Sequence, residues 1–361
     1  MPSRPRILYI LSEYPQLSET YIQTEIDAVK DDYELRIIST RTANFTYKNH
    51  DPYEIVSEAE NEKLIQVIED FKPDVIHSHW MGISPFIGKL SKQTGVPFTM
   101  RAHSFDVLWK WKELSLIQRL IGKKAHPKYM TKALPYLNDD LCLGVISFPF
   151  GRENLERAGL APNKIHEAPA CVNYKRFYNT DPNGDRVMNG GAALPKKKME
   201  DFIELATLVP ELKFDLYPIG YQGDELMKLN ESKGSPVNIE PNIEPIEMPP
   251  VYKKHRWLVY TASSAIPTTG WPIMIAEAQA SGVGVLMKNL RPDLKDFVGP
   301  CGFLYNTVEE AAKILSQPFP EELRQMGFEH AKRNDIEQHK HVLTDLWNTE
   351  IARKQTGTKV K

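Results

Sequence analysis

GGAALPKKKMEDFIELA, residues 190–206, is the stretch on which the reading of this chain turns. A short apolar run, Val187–Met188, leads into a glycine pair, then Lys196, Lys197 and Lys198, then a segment Lys198–Leu208 with helical spacing of its apolar residues. This is a strand, a tight turn and a helix. Glycines after a strand let backbone approach a ligand, and three cations at a helix start oppose the helix dipole by about a few tenths of a kcal/mol each. A bound anion would offset that cost, so the glycine pair and Lys196, Lys197 and Lys198 are candidates for a phosphate site. The alternative is a solvated charge run relieved by Glu200 and Asp201 in the same turn.

Working outward, the same alternation recurs on both sides. Downstream come strands at Leu212–Leu216 and Trp257–Thr261, a helix at Pro272–Ala280 and a strand at Val283–Leu286. Upstream, Ile7–Leu11, Leu35–Ser39, Asp74–His77, Val96–Met100, Cys142–Ser147 and Ile165–Pro169 read as strands, with helices at Thr20–Lys30 and Glu60–Phe71. Alternation of this kind predicts parallel, doubly wound α/β sheets. The loop-rich string YNTDPNGD, 178–185, lies near the midpoint, and 361 residues exceed one ordinary core. The expected division is an N-terminal domain 1–180, a C-terminal domain 181–325, and helices 326–361 ending in a fraying polar tail.

The composition is that of an ordinary globular chain, 41% hydrophobic and 25% charged, with a formal charge of -2. No global field draws it to nucleic acid or anionic lipid. Three scattered cysteines, Cys142, Cys171 and Cys301, argue against a disulfide framework or a structural zinc site. The absence of an 18-residue apolar run and of a signal-peptide core leads to the expectation of a cytoplasmic protein.

Three further segments carry chemistry. In TASSAIPTTGWPIMIAEAQASGVGVL, 261–286, the only charge is Glu277, on a helix opened by Pro272. A lone carboxylate there needs hydrogen bonds, from ribose hydroxyls or from a distant Arg or backbone amides. His77, His79 and His103 stand at or beyond strand ends; His77 and His79 share a face, but no carboxylate is spaced in sequence to complete a metal site. His103 reads as a hydrogen-bonding group on a crevice edge or as a packed histidine. Finally WKWKELSLIQRLIGKKAHPK, 109–128, has six Lys/Arg against one Glu, with apolar Leu116, Ile117, Leu120 and Ile121. It fits a helix packed on the N-domain or an interfacial membrane helix led by Trp109 and Trp111.

Taken in order, YPQLSETYI (14–22), PDVIHSHW (73–80), RAHSFDV (101–107), PACVNYKRF (169–177), ALPKKKMEDFIELA (193–206) and TGWPIMIAEAQASGVGVL (269–286) resemble the family-four glycosyltransferases of the GT-B fold. The closest likeness is to bacterial exopolysaccharide and colanic-acid type enzymes. The resemblance implies two facing Rossmann-like domains with parallel sheets and a C-terminal crossover helix. It implies sugar transfer from a nucleoside-diphosphate sugar, a UDP or GDP sugar, to a glycan or lipid-linked acceptor, with retention, without metal, and with no cofactor besides that substrate.

Carried over by position, the resemblance assigns catalysis to Lys197 and His103. It assigns donor binding to Gly191, Lys196, Thr269, Gly270, Trp271, Pro272 and Glu277, and the acceptor side to Ser18, Glu19 and Thr20. Thr269 and Ala192 stand where the family carries a Glu and an Arg. Losing one charge-stabilising donor costs about 3–4 kcal/mol of transition-state stabilisation. The expected function is therefore a hexosyl-type transferase of polysaccharide biosynthesis, cytoplasmic and with a peripheral membrane contact through 109–128. The alternatives are a catalytically degenerate sugar-nucleotide-binding or scaffold subunit and, less favoured, a sugar-nucleotide epimerase, for which acid/base carboxylates are lacking.

Overall fold

A computed structural model of the chain describes residues 4–113, 115, 123–266 and 268–356. Leu116, Ile117, Leu120 and Ile121 of the expected 109–128 helix lie outside the described residues. Strands β1 (Arg6–Glu13), β2 (Glu34–Arg41), β3 (Glu54–Ile55), β4 (Val75–His79), β5 (Phe98–Arg101), β6 (Cys142–Ser147) and β7 (Ile165–Glu167) form one sheet in the order β3-β2-β1-β4-β5-β6-β7. Strands β8 (Arg186–Ala192), β9 (Phe214–Ile219), β10 (Val237–Ile239), β11 (His255–Tyr260), β12 (Gly284–Lys288) and β13 (Gly302–Tyr305) form a second, ordered β10-β9-β8-β11-β12-β13. Every pairing is parallel.

The central strands are continuous apolar runs because helices cover both faces of each sheet. In β1, Leu8 and Ile10 pack on one face, while Ile7, Tyr9 and Leu11 pack on the other. The strand order reverses beside β1 in the first sheet and beside β8 in the second. Such switch points open a crevice at the strand C-termini, and the crevices of the two domains face one another.

The chain crosses between domains twice. Ala170, Val172 and Phe177 already belong to the core of the second sheet. Near the end, the helix Glu322–Arg333 packs on that same domain through Leu323 and Ala331. The helix Ile336–His339 then lies against Thr20–Val29, and His341–Gln355 buries Leu343, Trp347 and Ile351 under the first sheet. The two crossings are tied together: the Val172 amide donates to the Asn334 carbonyl and the Ile336 amide to the Val172 carbonyl, both at 2.9 Å. Among the described residues, no helix is long and apolar enough to cross a membrane.

Candidate active-site cleft

A cleft of about 420 Å³ lies between the domains. On its C-domain wall, β8 ends in Gly190, Gly191 and Ala192. Gly191 has φ +101°, and a Cβ there would come within 3.0 Å of Lys197 Nζ. The Lys197 ammonium thus sits directly against the glycine turn, over the Tyr260 ring at 4.4 Å. The Lys197 carbonyl accepts from Thr261 Oγ1 at 2.8 Å and the Lys196 carbonyl from the Ser263 amide at 2.9 Å, which pins the turn to the segment after β11. Burial, and then repulsion from Lys196, pull the Lys197 amine down to about 7. Among the described residues, neither Lys196 nor Lys197 has a carboxylate within ion-pair distance.

The three lysines do not share one role. Pro195–Lys197 is a single 3₁₀ turn, Lys198 is left-handed at φ 45°, and the α-helix begins only at Glu200. Lys198 pairs with Asp201 at 2.8 Å, so the charge-run reading holds for this lysine while its two neighbours line the cleft. The acidic residues, not the lysines, occupy the first turn of the helix, as its dipole favours.

Below the lysines, Pro272 caps the helix Ile273–Ala280, which carries Glu277 into the cleft. Tyr252 Oη donates to Glu277 Oε2 at 2.7 Å, and burial raises the carboxyl above its ordinary value despite that bond and Arg176. The preceding loop braces against both domains. Arg291 pairs with Asp293 at 2.9 Å and donates to the Thr269 carbonyl at 2.5 Å. Trp271 stacks on Phe297 at 5.0 Å and donates to Asp293 at 2.8 Å. The Thr269 hydroxyl is buried without a hydrogen-bond partner. A Cβ on Gly270 would lie 2.4 Å from the Ser104 Cβ of the other domain.

On the N-domain wall, Ser18 and Glu19 lie in the 3₁₀ turn Leu17–Glu19, and Thr20 opens the next helix. Trp80 Nε1 donates to Glu19 at 3.3 Å; burial nevertheless raises this carboxyl to about 7, with Lys196 across the cleft pulling the other way. His103 is buried just past β5, its ring against Trp80 at 4.3 Å and Tyr21 at 4.6 Å. His103 Nε2 lies 3.0 Å from His79 Nδ1, and His79 Nε2 lies 3.1 Å from Glu25 Oε1. His77 Nε2 reaches the same oxygen at 2.9 Å, and Arg101 Nε lies 2.5 Å from Glu25 Oε2.

Glu25 is thus the carboxylate that sequence spacing did not reveal, because it arrives from the helix Thr20–Val29 and not from a neighbouring strand. Two imidazoles and a carboxylate form a metal-like donor set. The Arg101 guanidinium, however, occupies the second carboxylate oxygen and would repel a cation there, so the group fits a hydrogen-bonded cluster.

The cleft gathers every residue to which the resemblance assigned a role: Gly191, Lys196 and Lys197, the run Thr269–Pro272, Glu277, Ser18, Glu19, Thr20 and His103; Lys198, His77 and His79 do not line it. It also brings in Glu25, Trp80, Arg101, Arg176 and Tyr252, to which no role could be assigned from the sequence. Trp80, Arg101 and Arg176 lie inside the quoted strings; Glu25 carries no local signal. Trp109 and Trp111 are elsewhere, packed on the N-domain core. Trp111 donates to Asn154 at 2.8 Å and lies under Arg157 at 4.1 Å, so these indoles are turned inward.

No family model and no curated protein sequence matches the chain. Solved structures do. Anabaena Alr3699/HepE, crystallised with UDP and glucose, is 15% identical over 97% of this chain and 99% of its own, with a TM-score of 0.72. Sucrose-phosphate synthase from Thermosynechococcus elongatus is 14% identical over 97% and 100%, with a TM-score of 0.68. A glycosyltransferase from Rickettsia africae is 13% identical over 96% and 99%, with a TM-score of 0.66. The likeness extends over both sheets and the returning C-terminal helix: the chain has the GT-B fold, two facing Rossmann-like domains with a cleft between them.

Proposed function

We propose that this protein is a glycosyltransferase that moves a sugar from a nucleoside-diphosphate sugar to an acceptor hydroxyl, with retention and without a metal or other cofactor. The observation that carries the reading is the pair Lys196 and Lys197, free of carboxylate partners among the described residues, with Lys197 held against the positive-φ Gly191 and both lining one cleft with Glu277. Two cations and a close-approach backbone suit a diphosphate, and a raised carboxyl bonded to a tyrosine suits ribose hydroxyls. HepE, similar along its whole length, was crystallised with UDP-glucose.

In this reading the bond from the sugar C1 to the diphosphate oxygen breaks as Lys197 and Lys196 take up the charge developing on the leaving group. The acceptor oxygen, entering from the side of Ser18, Glu19 and Thr20, bonds C1 on the same face, and its proton passes to the departing phosphate oxygen. Closure of the two domains, which meet at Gly270 and Ser104, would exclude water from the reacting centre. The acceptor is a glycan or a lipid-linked sugar, in polysaccharide assembly at the cytoplasmic side. A peripheral membrane contact through 109–128 would rest on exposed Lys110, Lys112, Lys123 and Lys124, since the indoles face inward.

The test is turnover of a panel of UDP and GDP sugars with glycan and lipid acceptors. We expect transfer by the wild type and a loss of roughly 100-fold or more in Lys197→Ala; equal turnover in both removes Lys197 from the mechanism. A second reading, a sugar-nucleotide-binding subunit without catalysis, is favoured by Ala192 and by the uncharged, unpartnered Thr269 hydroxyl. Binding by calorimetry with no transfer across the panel would establish it instead.

A further inference from the structure

The buried polar cluster behind His103 holds two hydrogen-bonded runs, Trp347–Thr99–His77 and Glu25–His79–His103, which meet at the ion-pair contact of His77 Nε2 with Glu25. At one end the Trp347 indole, which can only donate, gives its Nε1 hydrogen to Thr99 Oγ1 at 2.9 Å. The Thr99 hydroxyl therefore has its own hydrogen free for His77 Nδ1 at 2.8 Å, which leaves His77 Nε2 as the protonated nitrogen facing Glu25. At the centre, burial works against a charge on Glu25, but Arg101 together with the two histidines outweighs it and holds the carboxyl well below its usual range. Glu25 is thus an acceptor only, and the nitrogen of His79 that faces it must carry a hydrogen. Burial keeps His79 neutral, its pKa lowered to about 4, so its other nitrogen, Nδ1, is a bare lone pair. The group that faces this lone pair is His103 Nε2.

We infer that Glu25 and His79 are positioning residues for His103: through the relay Glu25–His79–His103 they hold the His103 ring as its Nε2–H tautomer, with Nδ1 left as an acceptor. His103 then meets the cleft as a neutral ring in one orientation, its Nε2 hydrogen held by His79 and its side chain also accepting the Asp106 amide of the capping box, so that it does not donate a proton. Its faces are closed by Trp80 and Tyr21, so the tautomer, not the ring position, is what the relay controls. The consequence for catalysis rests on the glycosyltransferase reading above; the tautomer itself does not.

The test uses the full-length protein labelled with ¹⁵N-histidine and long-range proton–nitrogen spectra near neutral pH, with peaks assigned by His79→Gln and His103→Gln. The expected result is hydrogen on Nε2 and a bare Nδ1 in both His79 and His103. A hydrogen on Nδ1 of His103, or a doubly protonated ring, overturns the proposal. In Glu25→Gln the amide can turn its NH₂ toward His79, and the His103 signals should show a second tautomer. Where nucleotide-sugar turnover is measurable, kcat should fall by roughly 10–100-fold with KM for the donor little changed, as when an orienting partner is lost. An unchanged His103 spectrum in that variant counts against the relay. Should Glu25→Gln not fold, the wild-type spectrum decides by itself. The expected tautomers with no turnover on any donor would sink the transferase reading and leave the relay standing.

Discussion

Lys197 and Glu19 face the same cleft and titrate in the same window for a shared reason: burial disfavours the charged form of each. For Lys197 the native-state value of about 7 lies below the ordinary lysine value. The unliganded native state therefore binds fewer protons than the unfolded chain between about pH 7 and about 10.4, and stability at this group rises with pH through that range. Below it the buried cation carries its full cost. An anionic ligand reverses the balance by favouring the cation, while deprotonation of Glu19 adds a competing negative charge. The thermal stabilisation by a nucleoside diphosphate should therefore shrink between about pH 6 and about pH 8.5. Lys197→Met should lower it at every pH and flatten the slope, and Glu19→Gln should flatten it in part; a pH-independent gain in the wild type would refute the assignment.

Among the elements, the returning helix His341–Gln355 contributes most beyond its own domain. Trp347 is fully buried, edge-on to Tyr9 at 6.3 Å and to Tyr33 at 5.2 Å, and donates to Thr99. Trp347→Ala leaves a large void and an orphaned hydroxyl, for an expected loss of about 3–5 kcal/mol in denaturant unfolding. Trp347→Phe should recover much of the packing but not the bond to Thr99. The helices Ser84–Thr94, Lys128–Leu137, Gly223–Ser232 and Val308–Leu315 were not assigned from the sequence. The central strands and the helices Thr20–Val29, Asn61–Phe71 and Ile273–Ala280 were legible because their apolar periodicity is local. The start of the helix after β8 was not: the left-handed Lys198 delays it to Glu200, and nothing in PKKKMED announces that turn. The short edge strands β3, β10 and β13 also went unread, having two to four residues each.

For the whole molecule, the relation between the domains rests on close contacts at both rims of the cleft. On one rim Gly270 meets Ser104, and Trp271 meets Phe150 at 5.4 Å. On the other, Phe45 packs on Tyr221 at 5.3 Å, and the Lys48 amide donates to Glu244 at 2.9 Å. A side chain at 270 has no room, so Gly270→Val should push the domains apart while leaving each core intact. We expect a larger radius of gyration by small-angle scattering and weak donor turnover with near-normal unfolding; an unchanged envelope would show that the rim yields locally. Two parallel α/β domains, the glycine turn with its lysines and the lone Glu277 were all determined by the sequence itself, because strand period, helix period and turn chemistry act within a few residues. Which lysines face the cleft, and that Glu25, His79 and His103 form one chain of hydrogen bonds beside the run Trp347–Thr99–His77, only the tertiary structure decided. Those residues come from separate strands and helices up to 322 positions apart in the numbering, and only the packing of both sheet faces brings them within hydrogen-bond distance.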